Sequence, residues 1–325
     1  MFIKRMIATV VFLLVLTLQP AQTSAETLDH HESAHFSYHI AKSISLSAVD
    51  SALNYAKSHL TGLLQDTIDY RPSIYIVESP LLFDSLIGGK FPDWGAAAAI
   101  PHRKMAVIKS PRRFNISQSL QELLIHEYSH LALADRTGLF SAPRWFDEGL
   151  SMRASSEWDW SNNLAMSKAA VFNQLIPLSQ IDDVNMFNEN QAQTAYSTSF
   201  VAVNYLFDTY GVIVVNQFLD SISTGVSVDR ALLYSTGSNY PDFEREFHVY
   251  LNSRFNAVSL LADTMYFWLI IALFFVVVGI VKYRQRRKFY KKWQDEERLQ
   301  STDFDYGDSD KPEQADLDDD ERWRQ

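Results

Sequence analysis

The run from Met265 to Val281, MYFWLIIALFFVVVGIV, contains no charged side chain. As a helix it sits at the short end of what crosses a bilayer. Tyr266 and Trp268 stand at its front edge, where amphipathic rings favour the membrane interface. Directly behind it come Lys282, Arg284, Arg286, Arg287, Lys288, Lys291 and Lys292, whereas Arg254 and Asp263 on the other flank form no comparable cluster. A buried core helix has no use for such a cluster, and basic flanks stay on the cytoplasmic side. Contact with anionic lipid is a secondary use for the same cations. The run therefore predicts one membrane span, with the residues before it outside the cytoplasm and those after it inside.

The start of the chain agrees. Lys4 and Arg5 precede an apolar stretch from Met6 to Leu18, followed by Pro20 and the small residues up to Ala25. A basic start, a short apolar core and a small-residue exit make up an export signal, here expected to be cut after Ala25. An uncleaved anchor is the alternative. The predicted order is a signal peptide (1–25), an exported domain (26–264), the span (265–281) and a basic, then acidic, unstructured tail (282–325). The domain 26–264 is expected outside the cytoplasm, in the periplasm if the cell is Gram-negative. The chain has no cysteine, which rules out disulfides, thiol chemistry and thiolate ligands. Its formal charge is −10, and from Trp293 onward 13 acids face 4 bases. That balance speaks against nucleic acid as a partner, and the acidic tail is a possible contact for a cytoplasmic protein.

Within the exported part, Ser47 to Thr67 carries apolar residues such as Leu53, Ala56, Leu60 and Leu64 at helical spacing. Ser73 to Val77 is a β-prone run, Leu81 to Leu86 a short helix, and Gly88-Gly89 a turn. Gly95 to Ile100 and Met105 to Ile108 read as a hairpin, with Pro101 pointing to a sheet edge. A helix begins near Ser117 or Ser119, where Ser119 and Glu122 have capping-box spacing. After Gly138 and Pro143 a second helix starts near Trp145, and the part beyond Ala195 is helical, punctuated by Gly211, Gly225 and Gly237.

The first of those two helices contains His126-Glu127-Tyr128-Ser129-His130. Histidines four apart project from one helix face, so both imidazoles can reach one zinc ion, and Glu127 can flank a water held there. The spacing alone also occurs by chance in unrelated helices. A catalytic zinc needs a third protein ligand. Glu148 follows His130 by 18 residues, beyond a turn long enough to return it antiparallel.

The strings HEYSHLAL and PRWFDEGLS resemble the gluzincin class of zinc peptidases, specifically the peptidase MA-like family. The resemblance implies that His126, His130 and Glu148 are the metal ligands and that Glu127 is the general base. Further on, Ala195-Tyr196 to Phe200, Tyr205-Leu206 and Tyr210-Gly211 are similar to the family's helical stretch after the site. There Tyr196 corresponds to an oxyanion-stabilising residue; a core tyrosine is the plainer reading. Trp94 to Ile100 resembles the edge strand along which gluzincins align substrate. The implied fold is α+β, with a small, mainly antiparallel sheet, an active-site helix and a helical subdomain. The implied activity is zinc-dependent hydrolysis of peptide bonds in peptide or protein substrates.

Two other readings remain open at this level. One is a non-catalytic relative that binds peptides or an envelope complex, and the other a membrane protein whose HEYSH string is accidental. Asp147 is a candidate to orient a ligand histidine or else a helix-start charge, and Asp135 is equally ambiguous. His30, His31, His35 and His39 form a loose cluster that fits a flexible end and a strand better than a metal site.

Overall fold

A computed structural model describes residues 26–66, 68–89, 95–187 and 189–299. The predicted signal peptide, Trp94 and the acidic end of the tail lie outside the described residues. The chain divides into two units, one up to Asp263 and one from Thr264.

The first unit is α+β. Five strands, β1 (Leu28–Glu32), β2 (Ser37–Ala41), β3 (Ser73–Val77), β4 (Ala97–Ile100) and β5 (Met105–Lys109), form one sheet in the order β1-β2-β3-β5-β4. The outer pairings, β1 with β2 and β4 with β5, are antiparallel hairpins. The two inner pairings are parallel, so the sheet is mixed and not mainly antiparallel as expected. The reason is connectivity. Helix α1 (Leu46–Leu64) carries the chain from β2 to β3, and helix α2 (Pro80–Ile87) leaves β3 ahead of the hairpin. Parallel neighbours need crossovers of that kind. Reading the strands one at a time gave the hairpin but not the crossovers.

Helix α1 buries Val49, Leu53, Ala56, Leu60 and Leu64 against the sheet's core side, and the Ser45 hydroxyl accepts the Ala48 N–H at its start. After the one-turn helix α3 (Pro111–Phe114), α4 (Leu120–Thr137) begins at a full capping box. Ser119 accepts the Glu122 N–H while the Glu122 carboxylate accepts the Ser119 N–H, which decides the cap in favour of Ser119. Leu123, Leu124, Tyr128 and Leu131 sink into the core, and Tyr128 meets Phe36, just before β2, edge-on, with ring centres 5.6 Å apart.

Helix α5 (Arg144–Ser155) returns along α4 and packs against α7 (Glu189–Ser223), with α6 (Trp160–Val171) between them in the chain. Gly211 breaks α7 at φ 83° and ψ 165°, a backbone conformation that glycine adopts without penalty. Helices α8 (Val228–Thr236), α9 (Tyr240–Arg254) and α10 (Ala257–Asp263) complete this unit.

The second unit holds helix α11 (Met265–Leu299). It continues past the apolar run and through the basic cluster, beyond the limits of the predicted span. Two described helices are long and apolar enough to cross a membrane. Part of α7 is one, but Val201, Ala202, Leu206, Val215 and Leu219 place it in the core, whereas no residue of the window on α11 is buried.

The contact between α5 and α7 sets a tolerance on the site. A Cβ on Gly149 would run into the Ser199 carbonyl group and come 2.6 Å from Val203 Cγ2, so only glycine lets α5 approach this closely. Helix propensity favours Gly149→Ala by about 1 kcal/mol. Overpacking of about 1–3 kcal/mol or more against a backbone carbonyl outweighs it. Gly149→Ala is therefore expected to lower the Tm of the detergent-solubilised protein; an unchanged or raised Tm would contradict this packing.

Candidate metal centre

His126 and His130 lie one turn apart on α4, on the face turned toward α5. Glu148, in the first turns of α5, points back at them and is only 4% exposed at its side chain. Its Oε2 is 3.6 Å from His126 Nε2 and 3.8 Å from His130 Nε2. One ligand atom from each residue falls within 4.8 Å of the others, and among the described residues this is the one group of three or more such side chains. Ligands held 2.0–2.1 Å from a common tetrahedral centre stand about 3.3 Å apart, so these spacings fit a zinc-sized ion after small side-chain adjustments.

The far side of each imidazole is also fixed. His126 Nδ1 is 2.7 Å from Glu157 Oε1, and His130 Nδ1 is 2.6 Å from Asp147 Oδ1. An Nδ1–H donated to a carboxylate leaves Nε2 as a lone-pair donor facing Glu148, the tautomer a ligand histidine needs. The buried Ser151 hydroxyl ties the two helices together, 3.0 Å from Ser129 Oγ, 2.9 Å from the Asp147 carbonyl and 3.3 Å from His130 Nδ1. Arg144 grips the other Glu148 oxygen at 2.7 Å, holding Oε2 toward the imidazoles.

The electrostatics follow from packing so many ionisable groups into a buried space. For His126, burial favours the neutral ring, but Glu157 and Glu148 outweigh it and hold the pKa well above the ordinary histidine value. For His130, burial is likewise overcome by Asp147 and then Glu148, leaving a pKa of about 8. Burial would raise the Glu148 carboxyl, yet His126, His130 and Arg144 together hold it below the usual carboxylate range. Glu127 shifts the other way. Its burial lifts its pKa, and the two imidazoles only partly oppose that.

Tyr196, on α7, shares this space. Its hydroxyl accepts a hydrogen bond from Arg144, and burial followed by the nearby Glu148 raises its pKa. The edge strand β4 is where the hairpin reading put it, at the end of the sheet, and it packs against α4. Asp135 faces elsewhere, accepting the Asp69 N–H at 3.2 Å. The N-terminal histidines are spread along the first hairpin. His30 and His39 face each other across β1 and β2 with ring centres 4.7 Å apart, while His35 lies against Lys57.

Sequence reasoning missed Glu157 and the grip of Arg144. Glu157 lies just past α5, and it reaches His126 because Ser156 adopts a left-handed conformation at φ 60° and reverses the chain. A non-glycine residue in that region is uncommon, and no periodic pattern announces it. Arg144 is four residues before Glu148 on α5, a spacing that was readable as an ion pair.

A small sheet beside an HExxH helix, with a carboxylate returned by the next helix, defines a peptidase-type domain built around a candidate metal site. A model of the Peptidase MA superfamily matches residues 55–253, and the chain belongs to that superfamily. No curated protein matches the sequence.

If Glu157 orients His126, Glu157→Ala should weaken zinc binding by about 10–100-fold, as removal of such partners does elsewhere. Glu157→Gln, which keeps an acceptor, should lose less. Competition of the solubilised protein against a chromophoric chelator measures both, and equal affinity in all three proteins would remove Glu157 from the site.

Proposed function

We propose that the protein is a zinc-dependent peptidase of gluzincin type, anchored in the membrane by α11 with its site outside the cytoplasm. The observation that carries the reading is the convergence of His126 Nε2, His130 Nε2 and Glu148 Oε2, with both Nδ1 atoms engaged by carboxylates. His126, His130 and Glu148 would hold the ion, leaving a fourth position open, as catalytic zinc requires. When bound, zinc supplies Lewis acidity toward a carbonyl oxygen and toward water.

The remaining steps fall to the chain's own side chains. In this reading Glu127 takes a proton from the attacking water and delivers it to the departing amine. Its burial raises its pKa, and a carboxylate that first accepts and then returns one proton serves as base and then as acid. The phenol of Tyr196, held by Arg144, is the donor on hand for the oxygen that gains negative charge as the carbonyl becomes tetrahedral. Strand β4 is the last strand of the sheet and carries small, half-buried side chains, Ala97 to Ala99, a composition that suits the addition of an extended peptide as a further strand. The cations behind the apolar part of α11 support a cytoplasmic tail. A purely peptide-binding role leaves the buried Glu127 beside the ligand set without a task.

Glu127→Gln should reduce hydrolysis of an unstructured protein substrate by at least about 10²–10⁴-fold, while metal analysis still finds one zinc per chain. Full activity in that variant would refute the assignment of the base. Tyr196→Phe should lower kcat by about 10²–10³-fold with little change in KM. A change in KM alone would assign Tyr196 to substrate binding instead.

A further inference from the structure

The outward side of α10 is entirely apolar: Ala257, Val258, Leu261 and Ala262 are exposed, while Ser259, Leu260 and Asp263 turn toward the protein. Val258 is 75% exposed and Leu261 62%. Helix α6 packs beside it. The Ser167 hydroxyl lies 3.2 Å from Ser259 Oγ and 3.0 Å from Asp263 Oδ2, and the Trp160 indole N–H donates to the Asp263 carbonyl at 3.0 Å. On α6, Trp160, Leu164, Lys168 and Val171 follow one another at i, i+4, i+8 and i+11, which puts them on one face. Trp160 is 57% exposed and Phe172, capping the helix, 65%. The buried side of α6 carries Asn162, whose Nδ2 donates to the Glu157 carbonyl at 3.1 Å.

A soluble surface rarely gathers a tryptophan, a phenylalanine and several aliphatic side chains around one lysine. An interfacial helix has that composition, with the rings and aliphatics at the headgroup boundary and the lysine among the phosphates. Connectivity names the occupant. Only Thr264 separates α10 from the start of α11, so Asp263 lies about two Cα steps, or roughly 8 Å of chain, from Met265.

We propose that this face of α6 and α10 rests on the lipid surface, in the headgroup and upper acyl region of the bilayer that α11 enters. The inference depends on α11 being a membrane span. The opposite side of α6 holds the Glu157 backbone through Asn162.

The absence of cysteine from the chain makes the test direct. Full-length single-cysteine variants Phe172→Cys and Val258→Cys are labelled with an environment-sensitive dye and reconstituted in phosphatidylcholine–phosphatidylglycerol vesicles. Leu273→Cys in α11 reports the span, and Leu139→Cys, at a position 97% exposed, reports water. A lipid with a nitroxide near the headgroup should quench the labels at 172 and 258 at least about twofold more than the label at 139. Leu273→Cys should be quenched by a nitroxide deep in the acyl chain. If Leu273→Cys is lipid-quenched but 172 and 258 behave like 139, the lipid-contact proposal fails and the span stands. If Leu273→Cys is not lipid-quenched, the span itself fails, and the proposal with it. Labels at 172 and 258 that are shielded from water yet untouched by lipid quenchers would show a protein covering this face, which also overturns it.

Discussion

The site depends on how closely α4 and α5 lie against each other. Two histidines on one helix can present nitrogens to a common point, but they cannot supply the third donor. Glu148 is able to do so because α5 returns within reach; two contacts hold the helix there and a third orients Glu148 itself. Ser151 bridges to Ser129, Arg144 fixes the far oxygen of Glu148, and Gly149 lets α7 press α5 from behind. The contact at Gly149 leaves no room for extra volume. A shift of α5 by a fraction of an ångström moves Glu148 Oε2 directly, since that residue sits beside Gly149. Close packing of this kind transmits displacement, because interiors are as dense as molecular crystals.

The sheet serves the same end less directly. Its parallel centre comes from the crossovers through α1 and α2, and the α1 crossover places a helix with a continuous apolar stripe where α4 can lie against it. The hairpin of β4 and β5 then leaves β4 as an edge beside α4. An edge strand is usually a hazard for aggregation. Here it is short, and its neighbour is the helix that bears both histidines.

Much of this was readable from residue order, and what was not shares one cause. Local patterns were clear. The stripe of Leu53, Ala56, Leu60 and Leu64, the β-run at Ser73 to Val77, the capping pair Ser119 and Glu122 and the helix-breaking Gly211 all act within a few residues of themselves. The HEYSH string belongs with these, since four residues on a helix fix a face. The features that depend on where the chain returns were not legible. The parallel pairing of β2 with β3 is set by a crossover, and Glu157 reaches His126 through one left-handed residue, Ser156. Neither has a period, and the second rests on a backbone conformation that serine seldom adopts.

Charge bookkeeping shows why such an array favours a divalent cation. Glu127, Glu148, Glu157 and Asp147 bring four potential negative charges into a nearly closed space, and Arg144 returns one positive. With neutral imidazoles and ionised carboxylates, the balance is three negative charges with little water to screen them, a costly arrangement. The protein by itself relieves this with protons. Both imidazoles are held above their ordinary pKa by the neighbouring carboxylates, and burial raises the carboxyl of Glu127. A doubly charged ion supplies the same compensation at the point where His126 Nε2, His130 Nε2 and Glu148 Oε2 converge, and it must displace the imidazole protons to do so. Protons and metal therefore compete for one electrostatic demand. The carboxylates behind the histidines are what make that demand large, so they belong to the candidate site as much as the three converging side chains in front of them.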